Sequence, residues 1–380
     1  MLQLSCSAVR LGGLRTLRWR GRAGAPRRCF GRSTVRMMPE GPECHTLSAA
    51  MDKNLGGGKY ALEGVEIISG RFASTPPEGL DELARRLPLA LEAVRCKGKF
   101  IYFQMASNVS LWSTLGMSGG WTLRRSHPHC RLALSLAGGD GDRRRLLFYD
   151  MRNFGTLRVC FDDDDLRRKL ASLGLSWLED GDADDFADRF RDLAANAARR
   201  APRKPLAKWL MDQKATAGIG NYLLSEILYA TRTDPWAAVG DVGEERWAAI
   251  RGEALRLTRA SRDAQAAAYE DADDPRPKLR NLEARGFALE VYGQAVARGL
   301  PVRRDVGPHG RTVHWVPEVQ TGAQPGSEEA LAAAAVAESR DAEPSMDWTL
   351  KRLQAACRER GLRVSGKKAD LLLRLAQPGA

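Results

Sequence analysis

The sequence predicts an α+β chain of several domains: an N-terminal β-sandwich with a leading helix, an α-helical domain, a β-hairpin appendage and a C-terminal helix–extension–helix unit. Three observations carry this. From 60 to 160, runs such as "LEAVRCKGKFIYFQM" and "RRRLLFYDMRNFGTLRVCF" alternate apolar and polar residues. Gly, Asn or Asp breaks them roughly every ten residues, as in antiparallel strands with one buried face. After the acidic run Asp162–Asp165 the apolar spacing changes to three and four in Ala-rich segments, the period of helices. Beyond these, "TGAQPGSEEALAAAAVAESRDAEPS" has almost no apolar bulk to bury and reads as a linker, setting the tail apart.

In chain order, residues 1–38 are a leader, 39–165 the sandwich, 166–285 the helical domain, 286–320 the hairpin, 321–345 the linker and 346–376 the tail unit. The leader holds nine arginines and no acid. Removing those nine from a formal charge of +12 leaves +3, so an electrostatic case for nucleic acid rests on local patches instead of bulk charge. An Arg-rich, acid-free leader has the composition of a mitochondrial or plastid transit peptide; initiation at Met38 would bypass it and allow a nuclear location. No apolar run approaches the ~18 residues that suggest a membrane span, so no membrane is expected as partner. "ECHTLSAAMDKNL" begins the sandwich with Leu47, Met51 and Leu55 four apart, a helix face. The hairpin is expected to pair "FALEVYGQ" with "GRTVHWVPEV". In the tail, Leu350, Leu353 and Cys357 line one helix, "GLRVSG" is extended, and Leu371, Leu372 and Leu375 line a second helix.

Seven cysteines (6, 29, 44, 96, 130, 160, 357) form no CxxC pair, which argues against a disulfide framework and a thiolate zinc site. His127 and His129 in "HPHC" read as strand histidines. His309 and His314 have neither cysteine nor carboxylate cluster beside them, so no metal is expected there.

The stretch with the most unusual chemistry is "VRMMPEGPECHTL". If the chain is cut after Met38, Pro39 presents a free secondary amine. An α-amine titrates near ~8, so a useful fraction is unprotonated at neutral pH, whereas an ordinary lysine near ~10.4 is almost wholly blocked. Such an amine attacking an aldehyde or hemiacetal carbon forms an iminium, an electron sink that acidifies the neighbouring C–H. Glu40, its immediate neighbour, can serve as general acid or base. "AGIGN" opening onto "NYLLSEILY" suggests helix N-terminal amides approachable by a phosphate, with Asn221 as a further donor.

Six motifs in this order carry a resemblance: "MPEGPE" (Met38–Glu43), "GKF" (Gly98–Phe100), "LGMSG" (Leu115–Gly119), "DMRNFG" (Asp150–Gly155), "DQKATAGIGNYLLSEILY" (Asp212–Tyr229) and "HGRTVHW" (His309–Trp315). Across residues 39–318 the chain resembles the formamidopyrimidine-DNA glycosylase / endonuclease VIII (Fpg/Nei) family, in its Nei-like zincless form. The resemblance implies a helix-two-turn-helix in the second domain, a zincless finger in the hairpin, and a bifunctional DNA glycosylase/AP lyase of base excision repair. It would act on oxidised pyrimidines and formamidopyrimidines through a proline Schiff base with β/δ-elimination. It assigns Pro39 as nucleophile, Glu40 as proton donor, Lys99 near the DNA backbone and catalytic site, and Glu43 as supporting acid. Met117, Arg152 and Phe154 would fill the gap left by a flipped nucleotide, a filling that offsets a few kcal/mol of unstacking. Asn221 and Arg311 would reach phosphates; Asn153 stands where the family often has a second arginine, and the loop "RNLEARG" is the candidate for contacts to the flipped base. The tail resembles a SAP module through Gly361, Gly366, Lys367, Lys368 and its leucines. Arg363, Lys367 and Lys368 would then contact DNA. The implied cofactor is none, zinc included; the implied partner is damaged double- or single-stranded DNA, bound by a monomer. The alternative is a non-catalytic DNA- or RNA-binding protein on the same scaffold.

Overall fold

The structure is a computed structural model that describes residues 38–124, 126–269, 286–321, 350–359 and 362–376. The leader through residue 37, the linker after Thr321, Gly361 and all of "RNLEARG" except Gly286 lie outside the described residues.

Helix α1 (Gly41–Leu55) leads into β1 (Tyr60–Ile67), and two short helices, α2 (Arg71–Ser74) and α3 (Leu80–Arg86), separate it from β2 (Leu89–Lys97). The strands β3 (Phe100–Met105), β4 (Val109–Thr114), β5 (Gly119–Thr122), β6 (Cys130–Gly138), β7 (Arg143–Asp150) and β8 (Thr156–Cys160) follow. They join in one antiparallel order, β5-β7-β6-β1-β2-β3-β4-β8. At its middle, β1 and β2 share only the pairs Ala61–Ala90 and Leu62–Leu89, so the sheet can fold there into two facing halves. The inward residues of both halves form one core. Trp121 of β5 packs on Phe103 of β3 with ring centroids 5.0 Å apart, and its indole N–H donates to Ser113 Oγ of β4 at 3.1 Å. The alternation in the sequence therefore becomes a sandwich, as burial of one face per strand requires. His127 and His129 lie in the turn just before β6 and not on a strand; the His127 ring stacks on Tyr149 at 4.1 Å.

Leu47, Met51 and Leu55 of α1 are buried in the sandwich core. α1 thus packs on β2 while another side meets α8 (Glu244–Tyr269) of the helical domain. That domain comprises α4 (Asp163–Ala171), β9 (Leu175–Ser176), α5 (Phe186–Arg200), α6 (Leu206–Leu210), β10 (Thr216–Ala217), α7 (Asn221–Ala230) and α8. Asp162 caps α4 by accepting from the Asp164 amide at 2.8 Å, the use expected of an acidic run at a helix start. An aromatic cluster of Trp177, Phe186, Phe190, Trp209 and Trp247 forms its core.

The appendage differs from the expected hairpin. Its main pair is β13 (Arg303–Val306) with β14 (Thr312–Trp315), after the two-residue strands β11 (Val296–Ala297) and β12 (Leu300–Pro301). "FALEVYGQ" forms no strand, because the amides of Glu290, Val291 and Tyr292 all donate to the buried Glu226 carboxylate of α7, at 2.8–3.0 Å. Donors committed to a side chain cannot enter a ladder. A short α9 (Pro317–Gln320) closes the appendage. In the tail, α10 (Leu350–Glu359) packs Leu353 and Cys357 on Leu371 and Leu375 of α11 (Lys368–Ala376), with Leu372 partly buried beside them. Leu350, the first residue of α10, is 45% exposed and not part of that face.

Candidate active site

Three glycine-containing turns meet where α1, the β2–β3 turn and α7 begin. The Gly41 amide donates to Gly218 O at 2.8 Å. Gly98 has φ +58, and a Cβ there would lie 2.7 Å from Ala217 Cβ. That contact excludes any side chain even if the backbone were tolerated. At Gly220 an added Cβ would lie 2.3 Å from Glu40 Cδ and 2.6 Å from Lys99 Nζ. The absence of side chains at these turns is what lets a carboxylate, an ammonium and a helix N-terminus converge.

Glu40, 1% exposed, directs its carboxylate into that N-terminus. It accepts from the amides of Gly220 at 2.8 Å, Tyr222 at 2.9 Å and Leu223 at 3.3 Å. The sequence reading has this helix start approachable by a phosphate; in the structure its Gly220, Tyr222 and Leu223 amides hold the protein's own carboxylate, while the Gly218 amide donates to Gln213 Oε1 at 3.0 Å. The physics is the same, an anion at a helix start, with a different anion. Burial pushes the Glu40 carboxyl up to about 7, against the opposing Lys99 ammonium and with the neighbouring Glu43 adding to the rise. Burial lowers the Lys99 ammonium, which Glu40 counteracts and Arg311 reinforces. Pro39 stands half-buried one residue before Glu40.

Glu43 is fully buried and accepts from the Glu40 amide at 2.9 Å, Tyr222 OH at 3.1 Å and Gln265 Nε2 at 2.5 Å. Ser261 Oγ, 3.0 Å from Tyr222 OH, extends this network onto α8. Burial raises the Glu43 carboxyl, with these hydrogen bonds opposing. Tyr222, Ser261, Gln265 and Glu226 were not anticipated. Glu226 left a signal, a lone acid on the apolar helix "NYLLSEILY"; Gln265, 222 residues from its partner, left none.

Asn221 donates from Nδ2 to Thr312 O at 2.7 Å, and its Oδ1 pairs with His309 Nε2 at 2.9 Å. It ties α7 to the β13–β14 turn. His309 is lowered to about 4 by burial and then by Arg311, so its ring is neutral around pH 7. Arg311 is exposed at the tip of that turn, its guanidinium 3.8 Å from Met38 Sδ.

A second constellation gathers beside β5 and β7. Buried Asp150 accepts from Ser118 Oγ at 2.5 Å and from the Arg152 and Gly155 amides at 3.1 and 2.7 Å, fixing the turns that carry Met117 and Phe154. Arg152 Nη1 lies 3.2 Å from Met117 Sδ, and its guanidinium is 5.8 Å from the Phe154 ring centroid. Phe154 is 56% exposed, an unusual placement for a phenylalanine that fills no core. Asn153, between them, has φ +57, a left-handed position that asparagine tolerates better than arginine. In the tail, Arg363 and Lys367 are exposed; the Lys367 amide donates to Asp370 Oδ2 at 2.8 Å, while Lys368 opens α11. Arg374 donates to the carbonyls of Arg363 and Ser365, both at 2.7 Å, and holds the extended break.

Residues 38–157 match the family model for the formamidopyrimidine-DNA glycosylase N-terminal domain. Residues 345–377 match that for the SAP domain. The chain is 34% identical over 238 residues to the formamidopyrimidine-DNA glycosylase of Thermus thermophilus, covering 59% of this chain and 80% of that protein. It is 29% identical over 277 residues to the one from Acidiphilium cryptum, covering 71% and 91%. Among solved structures, Lactococcus lactis Fpg bound to DNA containing an oxidised pyrimidine is similar at a TM-score of 0.59. That likeness, at 21% identity over 74% of this chain and 99% of that one, is one of fold. The same protein bound to DNA containing an abasic site gives the same values.

Proposed function

The chain belongs to the formamidopyrimidine-DNA glycosylase family, and we propose that it is a bifunctional DNA glycosylase/AP lyase of base excision repair with a C-terminal SAP domain. One observation carries the reading: Glu40, Lys99 and the start of α7 converge immediately beside Pro39. In this reading Pro39 acts once the bond to Met38 is cut, since an amide nitrogen is not a nucleophile. Its amine attacks the sugar C1′ of the damaged nucleoside. Glu40, with a carboxyl near neutrality, delivers a proton to the opening sugar as the base departs. The resulting iminium acidifies the adjacent C–H, and elimination nicks the strand. Lys99 offers a cation between the acid and the DNA backbone, and Glu43, held by Tyr222 and Gln265, fixes the Glu40 backbone.

Met117, Arg152 and Phe154 form the wedge that enters the duplex where the target nucleotide leaves. Arg311 and Asn221 belong to the zincless finger and the helix-two-turn-helix, Arg311 reaching a phosphate and Asn221 setting the finger on the helix. Oxidised pyrimidines and formamidopyrimidines are the substrates proposed. Arg363, Lys367 and Lys368 supply a second, sequence-independent hold on DNA. The route that removes the leader decides the compartment: a transit protease would place the enzyme in an organelle, initiation at Met38 with Met removal in the nucleus. The experiment is borohydride trapping on abasic-site DNA with protein beginning at Pro39, followed by mapping of the crosslinked residue. A covalent complex at Pro39, lost in Pro39→Ala, is expected. A complex that survives the substitution refutes the mechanism, and retained binding without any trapping favours a non-catalytic DNA- or RNA-binding protein. EDTA is expected to leave excision intact.

A further inference from the structure

Behind the acid–lysine pair lies a cluster that the proposed reaction does not use. His45 of α1, Cys96 of β2 and Glu179 of the loop after β9 place their Nδ1, Sγ and carboxylate oxygen within 4.8 Å of one another. Glu179 Oε1 is 2.9 Å from His45 Nδ1 and 3.1 Å from Cys96 Sγ. Its other oxygen is fully employed, accepting from the Gly98 amide at 3.1 Å and from Ser176 Oγ. The carboxylate is therefore fixed from behind by a backbone donor and a hydroxyl, the arrangement that orients a ligating group from the outer shell. The His45 and Glu179 side chains are 30% and 22% exposed, so the front opens to solvent while Cys96 forms the buried floor.

We propose that His45, Cys96 and Glu179 form a binding site for one divalent cation of the zinc class, with water as the fourth ligand. Imidazole, thiolate and carboxylate are a borderline-to-soft set suited to Zn²⁺ or Co²⁺ and poorly suited to Mg²⁺ or Ca²⁺. Bond lengths of ~2.0–2.3 Å in a tetrahedron require donors roughly 3.3–3.6 Å apart. The present separations reach that with side-chain adjustments of about 1 Å or less. On binding, the Cys96 thiol gives its proton to solvent, and the neutral imidazole shifts its single proton from Nδ1, where it bonds Glu179 Oε1, to Nε2 by exchange with solvent, so that Nδ1 offers its lone pair. The cation replaces both hydrogen bonds to Oε1 and leaves those to Oε2 in place. The three ligands come from three elements, so the loaded site ties α1, the end of β2 ahead of Lys99 and the loop after β9 together.

The test is a Co²⁺ titration of the full chain, read by the thiolate-to-cobalt charge-transfer band and the intense d–d absorption of four-coordinate cobalt. One equivalent is expected to bind, to be displaced by Zn²⁺, and to raise the melting temperature. Cys96→Ser removes the charge-transfer band, and Ser176→Ala weakens cobalt binding about tenfold, the effect of losing an outer-shell partner. His45→Asn also weakens binding while leaving excision without metal unchanged, and it carries the test if Cys96→Ser does not fold. A band missing from the wild-type chain, or one undiminished in Cys96→Ser or His45→Asn, overturns the proposal. These readouts do not depend on catalysis, so a failure here and a failure of the glycosylase reading are separable.

Discussion

Gly220→Ala is the sharpest probe of how the active site is assembled. The Gly220 backbone is extended, at φ −127 and ψ −154, so alanine suits its conformation and the whole effect is steric. The new Cβ would stand 2.3 Å from Glu40 Cδ and 2.4 Å from Oε1, where carbon contacts prefer about 3.5–4.0 Å. Lys99 Nζ, 2.6 Å away, sits at the end of a flexible chain and can swing aside. Glu40 cannot yield so cheaply, because amides at 2.8 and 2.9 Å pin its two oxygens. A retreat of about 1 Å leaves at least one buried amide unpaired, costing about 1–3 kcal/mol. Against this stands a gain of at most ~1 kcal/mol from a stiffer unfolded chain, so destabilisation wins. A 1 Å displacement of the acid should lower single-turnover excision about 100-fold. The assay is excision on an oxidised-pyrimidine duplex alongside thermal melting, with Gly252→Ala as control. Gly252 lies exposed in α8 with open space around an added Cβ, so that variant should gain stability and keep full activity. If Gly220→Ala excises within threefold of wild type, the close approach of Glu40 and Lys99 is not what the glycine provides.

Three further outcomes are expected. With its carboxyl near 7, facing Lys99 and Glu43 with Arg311 beyond, Glu40 is half protonated at neutrality, so the acid form falls roughly tenfold per unit at higher pH. Because the Pro39 amine, titrating near ~8, gains its free form over the same range, single-turnover excision should fall only above about pH 8; a rate still flat from about pH 8 to 10 would remove Glu40 as the proton donor. Phe154→Ala should leave melting within ~0.5 kcal/mol of wild type, because the ring fills no core. It should weaken binding to abasic duplex about tenfold, the loss of one stacking contact, and unchanged affinity would count against the wedge. Lys367→Ala with Lys368→Ala should reduce the salt dependence of DNA binding by a slope of about two without altering excision at saturating DNA; an unaltered slope would point the SAP domain at a protein partner.

Local rules determine a large part of this molecule. Period-two alternation gave the strands, three-and-four spacing gave α1, α7 and the tail helices, and the glycines of "AGIGN" marked a helix start that an anion can approach. Met117, Arg152 and Phe154, named from separate motifs, stand together because Asp150 gathers their turns. What local pattern cannot express is which donor meets which acceptor across the chain. The α7 amides went to Glu40, some 180 residues away, and those of Glu290 to Tyr292 went to Glu226, which abolished an expected strand. Gln265 reached Glu43, and His45, Cys96 and Glu179 converged from three elements. For Glu40, Glu43 and Glu226 a buried carboxylate had to find donors wherever the fold brought them, since leaving it unpaired would cost far more than any local preference supplies. Residue type and spacing thus determined the elements and the chemistry on offer. Only the tertiary structure decided the partners, because burial turns long-range pairing into a requirement.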